Sequence, residues 1–355
     1  MVGADGALPL PWLAAPLRAG LRSSAHALLL HGPEGVGQIE LALTLAQAWL
    51  CEAPADTMPE RRPCGVCAGC RLVQSHTHPD LLVLLPEALS EALGWTAGVE
   101  GDEGAVDRAG KGKPSKEIKV EAVRTAVAFA QTTSARGRGK VVVLHPAERI
   151  NAIASNTLLK TLEEPPGAAR FVLSCASPDA LLPTIRSRCQ ALPLALPPVA
   201  VAVGWLRSRG VAEPEVLLAA CGGQPLLALQ WSEEGIDAKL WTQLPALVMR
   251  GDAVPFLGWP LPRLVNALQK LCHDALCVAS GAGPRYFPAA AVKSVATVAA
   301  LTEWAQSLAR IARHAEHPWV AGLLVEALVD QARDALQRPV RVAAAEATRY
   351  TRAHE

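Results

Sequence analysis

The sequence predicts an α/β domain built on a parallel sheet, followed by an all-helical region. Three observations carry this. Across the first two hundred residues, short apolar runs alternate with helical patterns. Those runs are apolar throughout, as strands of a sheet covered by helices on both faces are. Beyond ALPPVA (residues 195–200), where Pro197 and Pro198 break the chain, no strand-like run persists and only helical patterns follow.

HALLLHG (26–32) reads as a buried strand entering a glycine loop. QIELALTLAQAWLCE (38–52) reads as a helix with Ile39, Ala42, Leu43, Ala46 and Trp49 or Leu50 on one face. Strands DLLVLLPE (80–87) and KVVVLH (140–145) flank the helix KEIKVEAVRTAVAFAQ (116–131). The helix NAIASNTLLKTLEE (151–164) precedes the strand RFVLSCA (170–176), and CQALPLA (189–195) is a short last strand. Helical patterns then cover 214–231, 261–281, 295–315 and 320–337, with no repeat at a fixed period.

With 355 residues there is room for two or three domains. Half the residues are apolar, which excludes a disordered chain, and a net charge of +1 advertises no global basic field for nucleic acid. The first twenty residues lack a signal peptide's basic start and long apolar run, and no stretch approaches a membrane span. A cytoplasmic location is expected, where nine cysteines serve as thiols or metal ligands, not disulfides. The segment 94–116, rich in Gly and charge, reads as a surface insertion, and the tail RYTRAHE (349–355) as a frayed end.

HGPEGVGQIE (31–40) nearly matches the phosphate-binding pattern G-x-x-x-x-G-K-[ST]. Gly32, Gly35 and Gly37 are present, but Gln38 stands for the Lys that neutralises phosphate and Ile39 for the Ser or Thr that holds Mg²⁺. A later strand should end in an acid that holds the metal, often followed by a Glu that activates water. The matching tip reads His145-Pro146. By itself the loop is equally a strand–helix turn that carries three glycines; with the acids also missing, neither ATP nor Mg²⁺ is expected here.

Cys51, Cys64, Cys67 and Cys70 are spaced C-x12-C-x2-C-x2-C. Two-residue gaps aim paired sulfurs at one ion, so four thiolates predict a closed, structural zinc site. The iron–sulfur run C-x2-C-x2-C-x3-C-P fails at Gln74; a cubane using Cys51, or His76 or His78 in place of one cysteine, stays open. Cys175, Cys189, Cys221, Cys272 and Cys277 are expected as small buried apolar residues.

NTLLKTLEEPP (156–166) and FVLSCASPDALLPTIRSRC (171–189) closely resemble the bacterial clamp-loader branch of AAA+ proteins, and a four-cysteine insertion after the loop helix is typical of that branch. The altered loop and lost acids resemble its non-hydrolysing stator rather than its motors. The resemblance implies a RecA-like AAA+ domain with the zinc module (1–196; module 51–70), a small helical lid (197–237) and a helical collar (238–355). It also implies a hetero-pentameric ring with gamma/tau motor subunits and a delta subunit. That ring uses ATP to place a sliding clamp on primed DNA, as part of a DNA polymerase holoenzyme. Ser187, Arg188 and Cys189 match the family's SRC motif, which implies that Arg188 is an arginine finger offered in trans; the residues alone favour an ion pair at the domain edge. The lid stretch CGGQPLLALQ (221–230) has no Arg, where motor subunits carry one.

Glu163 and Glu164 end a helix and can face a neighbouring subunit or water. The loop SARGRGK (134–140), with Arg136, Arg138 and Lys140, is either a solvated loop or a contact to DNA phosphates. Two rivals remain. One is an active ATPase with Gln38 in a variant loop and Glu148 near the strand tip. The other is a free-standing zinc-containing nucleic-acid binder, which the neutral charge and scarce aromatics disfavour.

Overall fold

Five apolar runs become five parallel strands: β1 (Ala27–His31), β2 (Leu81–Leu84), β3 (Val141–Leu144), β4 (Arg170–Cys175) and β5 (Gln190–Pro193). In this computed structural model, residues 1–54, 62–95, 114–293, 296–313 and 321–337 are described. The order across the sheet is β2-β3-β4-β1-β5, with Leu29 opposite Leu173 and Val142 opposite Phe171. The chain leaves β1 for the far edge and returns through β3 and β4 to lie beside it. The carboxyl ends of β1 and β4 are therefore the topological switch point, where open α/β sheets bind ligands.

Both faces of the central strands are covered. Leu29, Val142, Leu144, Phe171 and Leu173 join one core with α5 (Val120–Gln131) and α6 (Ala152–Glu163). The alternate residues Leu28, Leu30, Val143 and Val172 are equally buried, on the face that carries α2 (Gln38–Leu50), with α1 (Ala14–Arg22) beside it. Coverage stops at the edge strand β5, where Gln190, Ala191 and Pro193 are exposed. The single apolar stripe expected on α2 is also corrected. Ile39, Leu43 and Trp49 are only partly buried, while Leu41, Leu45 and Ala48 are fully buried. This helix is packed on nearly all sides, because α1, the sheet and the N-terminal residues enclose it.

Short helices α3 (Ala68–Gln74) and α4 (Glu87–Ala92) flank β2, and α7 (Pro183–Arg186) precedes β5. The insertion expected at 94–116 lies outside the described residues over 96–113, as does the tail 338–355. Contacts divide the chain into Met1–Val201 and Ala202–Glu355.

The second unit is helical: α8 (Val199–Ser208), α9 (Pro214–Ala220), α10 (Pro225–Glu233), α11 (Ala238–Arg250), α12 (Leu261–Ala279), α13 (Val298–Ala312) and α14 (Ala321–Gln337). One apolar core runs from Ala202 to Leu336. Asp237 caps α11 by accepting from the Leu240 N–H, and Thr297 caps α13 in the same way. Trp241 stacks on Phe287 at 4.5 Å. Asp274 is fully buried and accepts from three successive backbone N–H groups, those of Arg285, Tyr286 and Phe287. Among the described residues no helix is long and apolar enough to cross a membrane.

Candidate functional site

At the switch point the glycine loop is tied down by the chain itself at its base, while Pro33 and Glu34 at its tip are exposed. The Gln38 side chain is 6% exposed and turns inward, donating through Nε2 to the carbonyls of Gly32 and Pro33, both at 2.7 Å. The N-terminal segment covers the loop: Trp12 Nε1 donates to the Val36 carbonyl at 2.8 Å. A Cβ on Gly37 would stand 2.4 Å from Leu10 Cδ1, so Leu10 lies directly over it. Gly37 has φ of 101°, which favours glycine, and a Cβ on Gly32 would stand 2.2 Å from the Leu194 carbonyl oxygen. Both glycines thus have a structural reason to be present.

His145 occupies the tip of β3. Its Nδ1 lies 2.9 Å from Ser174 Oγ, and burial pulls its pKa down to about 4, so the ring is neutral near pH 7. Glu148 does not replace the missing acid: its Oε1 accepts from the Ala176 N–H at 2.9 Å, beside the end of β4.

The four cysteines converge. Cys51 follows α2, and Cys67 is the N-cap of α3, its sulfur accepting from the Cys70 N–H. All four sulfurs lie within 4.8 Å of one another, with Cys64–Cys70 and Cys51–Cys67 at 3.9 Å. A tetrahedral Zn–S₄ centre with bonds of ~2.3 Å has S–S edges of about 3.8 Å, so the cluster fits zinc. Backbone N–H groups of Glu52 and Cys67 also point at Cys67 and Cys64 sulfurs, as thiolates require. Burial pushes the Cys70 thiol up; at Cys64, N–H donors outweigh burial and bring the thiol down to about 7. Neither histidine joins the cluster. His76 stacks on Trp95, and His78 is buried with Nδ1 accepting from the Asp80 N–H.

Arg188 is held by its own chain. Nε donates to Glu163 Oε1 at 2.6 Å, Nη2 donates to the same oxygen, and Nη1 donates to the Thr184 carbonyl at 2.8 Å. Ser187 Oγ donates to the Thr184 carbonyl. Cys189 packs at the edge of the core, where burial raises its thiol to about 12. Like Cys277, it is only partly buried, whereas Cys175, Cys221 and Cys272 are fully buried as expected.

Comparison with known proteins now decides the family. The family model described as "DNA polymerase III, delta subunit" matches residues 19–198, just over half the chain. The DNA polymerase III subunit delta′ of Yersinia pestis is 35% identical over 297 residues, 77% of this chain and 78% of that protein. The chain belongs to the DNA polymerase III delta′ family of clamp-loader subunits. The delta′ subunit of Pseudomonas aeruginosa is 38% identical over 61% of this chain, and the chain spans 58% of its length. That of Escherichia coli is 32% identical over 69% of this chain and 70% of that protein.

Three features of the site were not legible in the sequence. The cover that Leu10 and Trp12 form over the glycine loop lies in a segment with no periodic signal. The second is the partner in the ion pair that the residues alone offered for Arg188, which is Glu163, 25 residues away. The third is Asp80, fully buried, which accepts from Ser134 Oγ, the N–H groups of Ala135 and Arg136, and Lys140 Nζ at 3.0 Å. Arg136 also meets Glu52 at 2.5 Å, which ties the basic loop to the cysteine module. Two of that loop's three cations therefore serve the fold, and Arg138 is exposed. A lone Asp before a strand gives no warning of this role.

Proposed function

We propose that this chain is the non-hydrolysing stator, delta′, of a bacterial DNA polymerase III clamp loader. It sits in a hetero-pentameric ring with gamma/tau motor subunits and delta, supports ATP-driven loading of the sliding clamp onto primed DNA, and acts in the cytoplasm at the replisome. In this reading 197–237 is the lid and 238–355 the collar that gathers the ring. Arg188 is the finger offered in trans to ATP on the adjoining motor subunit, where a guanidinium stabilises charge on the transferring phosphoryl group.

The observation that carries the reading is the glycine loop in which Gln38, at the position of the Lys, is turned inward onto the loop's own carbonyls. Gln38 spends its amide on the Gly32 and Pro33 carbonyls, Trp12 holds the Val36 carbonyl, and Leu10 packs against Gly37. No cation, metal-ligating hydroxyl or strand-tip acid stands at the positions the chemistry needs. The four cysteines supply a closed zinc staple with no open coordination position, which fits a structural role.

Titration of the purified chain with ATP and Mg²⁺ tests the inert-site part. No saturable binding at millimolar ATP and no phosphate release are expected; submillimolar binding with turnover contradicts it and restores the ATPase reading.

A further inference from the structure

We infer that Glu163 is the positioning residue for Arg188, an inference that rests on the reading of Arg188 as a finger. The guanidinium has five N–H groups in a fixed fork. Nε and Nη2 each give one to Glu163 Oε1, and Nη1 gives its two to the Thr184 carbonyl and, at 3.4 Å, to Ser187 Oγ. One N–H of Nη2 is left, on a side chain that is 29% exposed. Thr184 and Ser187 belong to α7 and its C-terminal turn, the segment that carries Arg188. Among the described residues, Glu163 is the one hydrogen-bonding partner that comes from another element. It is the last residue of α6, a helix anchored by the Asn151 cap and by buried Leu158 and Leu162. The carboxylate therefore fixes the fork relative to a rigid helix, whereas Thr184 and Ser187 fix it only relative to its own short segment.

Two effects of Glu163 oppose each other. Its charge offsets that of Arg188, which weakens attraction for a phosphate. Its geometry removes rotamers that a long surface side chain would otherwise sample. Glu163 is about half exposed, at 47%, so its charge is screened by water and the first effect is small. The geometric effect persists, and misplacement by an ångström costs a catalytic group about 10²-fold. Positioning wins, and Glu163 assists the finger rather than restraining it.

The test uses the ring reconstituted with motor and delta subunits, the motors carrying alanine in place of their own finger arginines, so that Arg188 is the remaining finger. Arg188→Ala sets the scale. Glu163→Ala is expected to lower kcat for ATP by about tenfold with KM for ATP unchanged. Glu163→Gln keeps an oxygen that accepts from Nε and Nη2, and is expected to stay near the wild-type rate. The double variant Glu163→Ala/Arg188→Ala should be no slower than Arg188→Ala. Glu163→Ala turning over at or above the wild-type rate, or losses that multiply in the double variant, overturns the inference. If Arg188→Ala slows the ring and Glu163→Ala does not, positioning alone fails. If Arg188→Ala changes nothing, the finger reading fails with it.

Discussion

His145 stands at the strand tip where the phosphate-loop pattern asks for an acid. In the fold it is neutral with a pKa of about 4, and in the unfolded chain it titrates near its ordinary ~6.5. Between those values the unfolded state binds more protons, so stability falls as pH drops from ~6.5 towards 4. Denaturant unfolding at pH 7 and pH 4 is expected to show a His145-dependent loss of about 1–3 kcal/mol. His145→Asn, which can keep the Ser174 hydrogen bond, removes that part of the pH dependence. Asp80 gives a second window. Burial pushes its carboxyl up, but N–H groups of Ala135 and Arg136, with Lys140 and Ser134, outweigh burial and hold it below the usual range. Its contribution is present above about pH 4 and lost as pH falls through the lowered folded value. Asp80→Ala leaves Lys140, 8% exposed, without its carboxylate and is expected to cost about 3–5 kcal/mol, read by denaturant unfolding. The missing Lys, hydroxyl and acids were legible from the sequence. Which groups filled their places was not, because Gln38 turning onto Gly32 and Pro33 depends on loop closure.

Among the elements, the cysteine module shows how short segments are held without a core of their own. Cys51 leaves α2 and Cys67 caps α3, so one ion would fix both helix ends. Gln74 Nε2 donates to the carbonyls of Val2 and Gly65, and Gln47 exchanges two hydrogen bonds with Val2, so the N-terminal residues lock onto the same module. Because Glu52 holds Arg136, zinc removal should loosen more than the ligands. A strong chelator, or Cys70→Ser, is expected to lower the thermal midpoint by several degrees. Amide exchange should rise in α3 and in the loop 134–140, while β3 and β4 stay protected. Unchanged exchange in that loop contradicts the coupling. Cysteine spacing made the four thiols legible as ligands, since a two-residue gap has few other uses, but left His76 or His78 open in place of one. The Trp95 stack and the Asp80 contact place both elsewhere. The glycine-loop cover was not legible: residues 1–13 are short and irregular, and their burial is decided by α2. The same enclosure defeated the single-stripe reading of α2.

At the scale of the whole molecule, strand–helix alternation gave the fold class, and motif order gave the family. Strand order did not follow from either; it fixes the glycine loop between β4 and β5 at the switch point. In the helical unit, tryptophans do what the aliphatic pattern did not announce. Trp241 is fully buried, stacks on Phe287, and with Trp231 and Tyr286 surrounds the ammonium of Lys270. Trp241→Ala is expected to destabilise this unit by about 3–5 kcal/mol, read by its own unfolding transition. The proposed division of labour is that a chain whose own nucleotide loop lacks the Lys, the hydroxyl and the acids lends its charge to a neighbour. ATP hydrolysis by the reconstituted ring tests this most directly, with motor finger arginines silenced and this chain supplied as wild type or Arg188→Ala. The substitution is expected to lower kcat by at least about 10²-fold, while the isolated chain hydrolyses nothing. Equal turnover with and without Arg188 would contradict it.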